Sequence, residues 1–106
     1  MLQAMSGPYL LAAERSRALH GAVAARLADG ITLSRARARV AAWRKNGQVH
    51  PRYTTAWDEL LSLAEADIAR VLVERSDQMD DLRQVSPFAG ALGARERWQI
   101  LRNLRP

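Results

Sequence analysis

No stretch of this sequence alternates apolar and polar residues with the period of two that a half-buried β-strand needs. Apolar residues return instead every three or four positions, and Gly or Pro interrupts the pattern before any segment grows long. Leu19, Val23 and Leu27 recur every four residues, while Leu33, Ala36, Val40 and Trp43 follow spacings of three, four and three. That is the periodicity of one helix face. Alanine, leucine and arginine dominate, and these side chains lose little rotamer freedom in a helix. The expectation is an all-α fold, a small compact bundle of five or six short helices.

The punctuation divides the chain further. Pro8 suits a first helical turn and Gly30 a left-handed C-cap, which predicts a first helix from Pro8 to Asp29. A second helix begins after Thr32 or Ser34 and stops at Asn46-Gly47. Residues 48–52 read as a loop, because Pro51 pushes His50 away from helical geometry. Thr55 followed by Asp58 resembles a capping box for a third helix carrying Trp57, Leu60 and Leu61. Ser62 to Glu65 forms another, opening a fourth helix with Ile68, Val71 and Leu72. Ser76-Asp77 caps a fifth with Met79, Leu82 and Val85, or else the fourth continues through it; Ser86-Pro87 ends it. After a compact linker at 88–93, the last helix runs from Ala94 to Leu104, with Trp98, Leu101 and Leu104 facing inward. Residues 8–106 are expected to form a single helical domain. Residues 1–7, where Met1-Leu2-Gln3-Ala4 precede a second possible start at Met5, are expected to be a flexible N-terminal extension.

Composition narrows the chemistry. Hydrophobic residues at 48% and charged residues at 25% fit a folded domain rather than a disordered chain. The absence of cysteine removes disulfides, thiolate metal sites and cysteine nucleophiles together, and fits a reducing compartment. Neither a signal-like opening nor a long apolar run is present, so the expected location is cytoplasmic, with no membrane partner. His20 and His50 stand thirty positions apart without carboxylates at metal-ligand spacing. Adjacent pairs such as Asp58-Glu59 and Asp80-Asp81 splay onto different helix faces instead of converging. The expectation is a protein with no catalytic residues, no metal and no cofactor, which acts by binding.

Charge is segmented. Residues 1–52 carry nine basic side chains against two acidic ones, residues 53–81 carry eight acidic against two basic, and residues 82–106 carry five basic against one acidic. The net charge of +5 therefore hides an acidic middle third. Arg35, Arg37, Arg39, Arg44 and Lys45 form the densest basic cluster and are the candidate nucleic-acid contacts, with the Gly30 turn completing a helix-turn-helix. The competing reading pairs this cluster with the acidic third or with a partner. Aromatic residues at inward helical spacing are expected in the core. Phe88 differs, since it sits between Ser86-Pro87 and Gly90, where it either tucks back against Trp98 or anchors a partner.

Three segments carry a resemblance. They are Glu14 to His20, then Val40 to Trp43 with Val49 to Trp57, and finally Leu82 to Gly90 running into Arg95 to Arg102. Together they resemble a group of short, high-GC bacterial proteins encoded beside nucleotidyltransferase-like genes in toxin–antitoxin-type pairs. The resemblance implies a non-catalytic antitoxin that neutralises a nucleotidyltransferase-like toxin by covering its active site or substrate groove. It transfers no functional residues. Within the third and most specific segment, the candidate partner-binding residues are Arg83, Gln84, Ser86, Pro87, Phe88, Arg95 and Arg97. The alternative is a small helix-turn-helix regulator that meets DNA through the Arg35–Lys45 helix.

Overall fold

A computed structural model describes residues 8–104, with side chains from residue 11 onward, so the expected extension at 1–7 lies outside the described residues. Six α-helices follow one another: α1 (Pro8–Ala24), α2 (Ile31–Asn46), α3 (Pro51–Leu61), α4 (Glu65–Leu72), α5 (Asp77–Arg83) and α6 (Ala94–Asn103). A 3₁₀ turn, Leu27–Asp29, joins α1 to α2, and no strand occurs among the described residues. The fold is a small all-α bundle. α1 packs against α4, α5 and α6, whereas α2 packs against α3, and α3 also meets α4 and α5.

Several boundaries differ from the sequence expectation, each for a local reason. α1 stops at Ala24 rather than Asp29, and the chain tightens into the 3₁₀ turn that buries Leu27. Neither Thr32 nor Ser34 caps α2. The Asp29 carboxylate accepts from the backbone N–H of Ile31 and of Thr32, both at 2.8 Å, while the Thr32 hydroxyl donates to its second oxygen. Gly30, at φ 73°, makes the reversal that brings Asp29 over those amides. The Thr32 amide, then its hydroxyl, holds the Asp29 carboxyl below its ordinary range.

α3 begins at Pro51, not after Thr55. Pro51 removes His50 from helical geometry, as expected, but that makes His50 the cap: its Nδ1 accepts from the Arg52 N–H at 3.1 Å. Ser62 does not open α4. Its hydroxyl donates back to the Asp58 carbonyl at 2.6 Å, and α4 starts at Glu65, where Ala64 supplies the first accepting carbonyl. Ser76 does cap α5, accepting from the Met79 N–H. Glu65 and Asp67 in the first turn of α4 complement its dipole.

Trp57 is the centre of the core, fully buried together with Leu27, Val40, Ile68 and Leu72. Its indole N–H donates to the Val85 carbonyl at 2.7 Å, which satisfies the one polar atom that burial strands. Val23, Leu61 and Leu82 are buried as the periodicity predicts, while Leu19, Trp43 and Leu101 are only half-buried. Trp98 is the clear correction. It was expected inside, yet it is 59% exposed, because α6 lies over α1 with Ile100 and Leu101 turned toward the bundle.

The two tryptophans separate cleanly in a stability measurement. Trp57→Ala is expected to cost about 3–5 kcal/mol by removing a full aromatic volume from the core. Trp98→Ala should fall within about 0.5 kcal/mol of the parent, as exposed positions do. Urea unfolding followed by circular dichroism checks both, and similar losses at the two sites contradict the packing described.

Candidate functional site

A cleft of about 650 Å³ opens between α1, the later half of α2, the segment after α5 and α6. Its apolar surface comes from Leu19, Val23, Trp43, Phe88, Leu92 and Leu101. Arg15 of α1, Arg39 of α2 and Arg97 of α6 also line it and are exposed. None of the three forms an ion pair among the described residues, and no carboxylate lines the cleft. Three separate helices thus bring positive charge to one concave surface with an apolar floor. Such a surface favours an anionic or acidic occupant that also carries apolar groups.

His20 and Ser86, sixty-six residues apart, meet in this cleft at 2.7 Å. The Ser16 carbonyl lies 2.7 Å from His20 Nδ1, and a carbonyl only accepts, so Nδ1 bears the proton. In the neutral ring Nε2 is then an acceptor, and the Ser86 hydroxyl donates to it. Ser86 Oγ in turn accepts from the Phe88 N–H at 3.1 Å. The chain carbonyl–imidazole–hydroxyl–amide ties α1 to the segment after α5 and seats Phe88. Burial holds the His20 imidazole below its ordinary value of 6.5, and the Arg83 charge acts in the same direction, against the Ser16 hydrogen bond.

Phe88 is buried, with its ring edge-on to His20 at 6.3 Å and to Trp57 at 6.0 Å. Of the two sequence readings, the structure takes the folded-back one, although the ring meets Trp57 rather than Trp98. Arg83 is also enclosed. It donates to the Leu72 carbonyl at 2.9 Å and to Asp80 at 2.7 Å, and so bridges the end of α4 to α5. Removing Asp80 leaves the enclosed guanidinium without its counter-charge. Pro87 is buried, Gln84 is exposed, and Arg97 reaches the cleft, whereas Arg95 lies outside it on α6. The third segment therefore places Ser86, Phe88, Gln84 and Arg97 around one cleft, but Phe88 and Arg83 serve its floor and frame rather than a free anchor.

The basic cluster of α2 divides. Arg37 donates to the Leu61 carbonyl at the end of α3, with the shorter contact at 2.9 Å, and Arg44 pairs with Asp58 at 2.7 Å. Arg35, Arg39 and Lys45 are exposed without ion pairs among the described residues, and only Arg39 also lines the cleft. α2 packs chiefly on α3 while α1 turns to α4, α5 and α6, so the helices on either side of the Gly30 turn have different main neighbours.

Among the described residues no group of three or more His, Asp or Glu side chains is placed to hold a metal ion, and no helix is long and apolar enough to cross a membrane. Comparison with known proteins finds no family model, no curated protein and no solved structure that matches this chain.

The His20 linkage fixes a pH dependence. Because its folded value is lowered, the unfolded chain takes up the proton first as pH falls below 6.5, so stability drops on acidification through that window. The urea midpoint should fall between pH 7.5 and pH 5.5, and His20→Gln should flatten the dependence. Ser86→Ala should cost about 1–3 kcal/mol at neutral pH, since it leaves His20 Nε2 unpaired in the interior. A pH-independent midpoint for the parent contradicts the buried neutral imidazole.

Proposed function

We infer that this chain is a non-catalytic protein-binding partner whose basic cleft receives an acidic surface of another protein. The carrying observation is the convergence of Arg15, Arg39 and Arg97 on an apolar-floored concavity without a carboxylate. Among the described residues these three charges have no acidic partner, while Arg26, Arg44, Arg52 and Arg75 each have one. The sequence resemblance supplies the kind of partner: a nucleotidyltransferase-like toxin encoded beside it, neutralised by occlusion. A cytoplasmic location accords with such a pairing and with a chain that uses no cysteine. The exposed Arg35, Arg39 and Lys45 support DNA contact less well, since two of the five basic residues in that cluster are already engaged.

Co-expression with the product of the adjacent gene, followed by size-exclusion chromatography and a growth assay, tests this reading. The parent chain should form a stable complex and relieve toxicity. The variant R15E/R39E/R97E should remain folded, because all three positions are exposed, and should bind on the order of a hundredfold more weakly. Unchanged binding by that variant removes the cleft from the interface, and a neighbouring product that neither binds nor harms the cell removes the antitoxin reading altogether.

A further inference from the structure

α6 has two working faces. One turns Arg97 and Leu101 to the cleft and Ile100 toward the core. The other carries Arg95, Trp98, Gln99 and Arg102, at spacings of three, one and three, and all four are exposed. Trp98 is the most exposed large apolar side chain among the described residues, and the Arg102 guanidinium lies 5.0 Å from its ring centroid. Arg95 and Arg102 form no ion pair among the described residues. The one acidic residue of the helix, Glu96, is turned away and paired with Arg26.

We propose that this outer face of α6 binds single-stranded nucleic acid, with Trp98 as the stacking ring for one base and Arg95 and Arg102 as contacts to the flanking phosphates. The surroundings of the ring choose the occupant. A tryptophan that anchors a protein sits among further apolar surface that its partner dries. Here its neighbours one turn away on the helix are Ala94, Arg95, Leu101 and Arg102, with Leu101 turned to the cleft, so on this face of the helix the ring stands alone, with Arg102 beside it and Arg95 one turn before it. Every base offers a π-face and every linkage a negative charge, which suits an isolated ring flanked by arginines. In a duplex the base faces are covered by their neighbours, so the ring has access only to unpaired strands. This face is separate from the cleft, and it stands or falls independently of the protein-binding reading.

Fluorescence anisotropy with labelled oligouridylate and oligothymidylate of about twenty nucleotides, long enough to exceed one binding site, reads the proposal directly. The parent chain should bind both strands in low salt and should bind a duplex of equal length about tenfold more weakly or worse. Trp98→Ala should weaken single-strand binding about tenfold or more, and Trp98→Phe should restore most of it. R95Q/R102Q should reduce the salt dependence by roughly 0.7 in log–log slope for each arginine that meets a phosphate. A difference between the two oligomers assigns the preferred sugar within the same proposal. Absence of binding by the parent, equal affinity for duplex, or a Trp98→Ala variant with unchanged affinity each overturns it. So does loss of the adjacent gene product's binding on Trp98→Ala while oligonucleotide binding is unaffected.

Discussion

The hydrogen bond from the Trp57 indole to the Val85 carbonyl ties the centre of α3 to the chain just beyond α5. Burial of a tryptophan is favourable only if its N–H finds an acceptor, and this acceptor lies just beyond α5. With Val85 fixed, the chain passes Ser86 under His20 and drives Phe88 between His20 and Trp57. The cleft floor is the far side of that arrangement. Core and cleft therefore share the same side chains, and loosening the centre displaces the cleft surface.

The helices were legible because their causes are local. A stripe at three- and four-residue spacing, a Gly after Asn46 and a Ser before Asp77 act within a single turn, and the structure follows them. The errors in the boundaries are competitions between neighbouring polar groups. Asp29 won the α2 amides from Thr32 because Gly30 reverses the chain between them, and Ser62 spent its hydroxyl on the preceding helix. Trp98 was misplaced because a short helix packed on one side exposes residues that helical periodicity alone would send inward. The site was less legible still. His20 and Ser86 meet across sixty-six residues, and no spacing rule reports a contact that depends on how six helices fold together. Only the membership of Ser86, Phe88 and Arg97 in one segment hinted at it.

Charge segmentation takes on meaning in three dimensions. The acidic middle third satisfies arginines of the segment before it, Asp58 taking Arg44 and Asp81 taking Arg52 and the Tyr53 hydroxyl, and in reverse Glu14 of the first segment takes Arg75. These pairs are exposed and individually weak. Their larger effect is to sort the surplus. Of the basic side chains without an ion pair among the described residues, Arg15, Arg39 and Arg97 line the cleft and Arg95 and Arg102 lie on the outer face of α6, while Arg35 and Lys45 stay on α2 outside the cleft.

Among the described residues α6 is the one helix of the six with no buried side chain, and it is held by half-buried Ile100 and Leu101 and by the pairing of Arg26 with Glu96. It is also one wall of the cleft. A wall so lightly fastened opens at a small fraction of the free energy that unfolds the core, and it does so as a unit. The cleft is therefore bounded by helices that carry buried side chains, α1 and α2, on one side and by α6, which carries none, on the other. For an acidic occupant of the kind proposed, charge would act before contact and the light anchoring of α6 would set how closely the cleft could fit its shape.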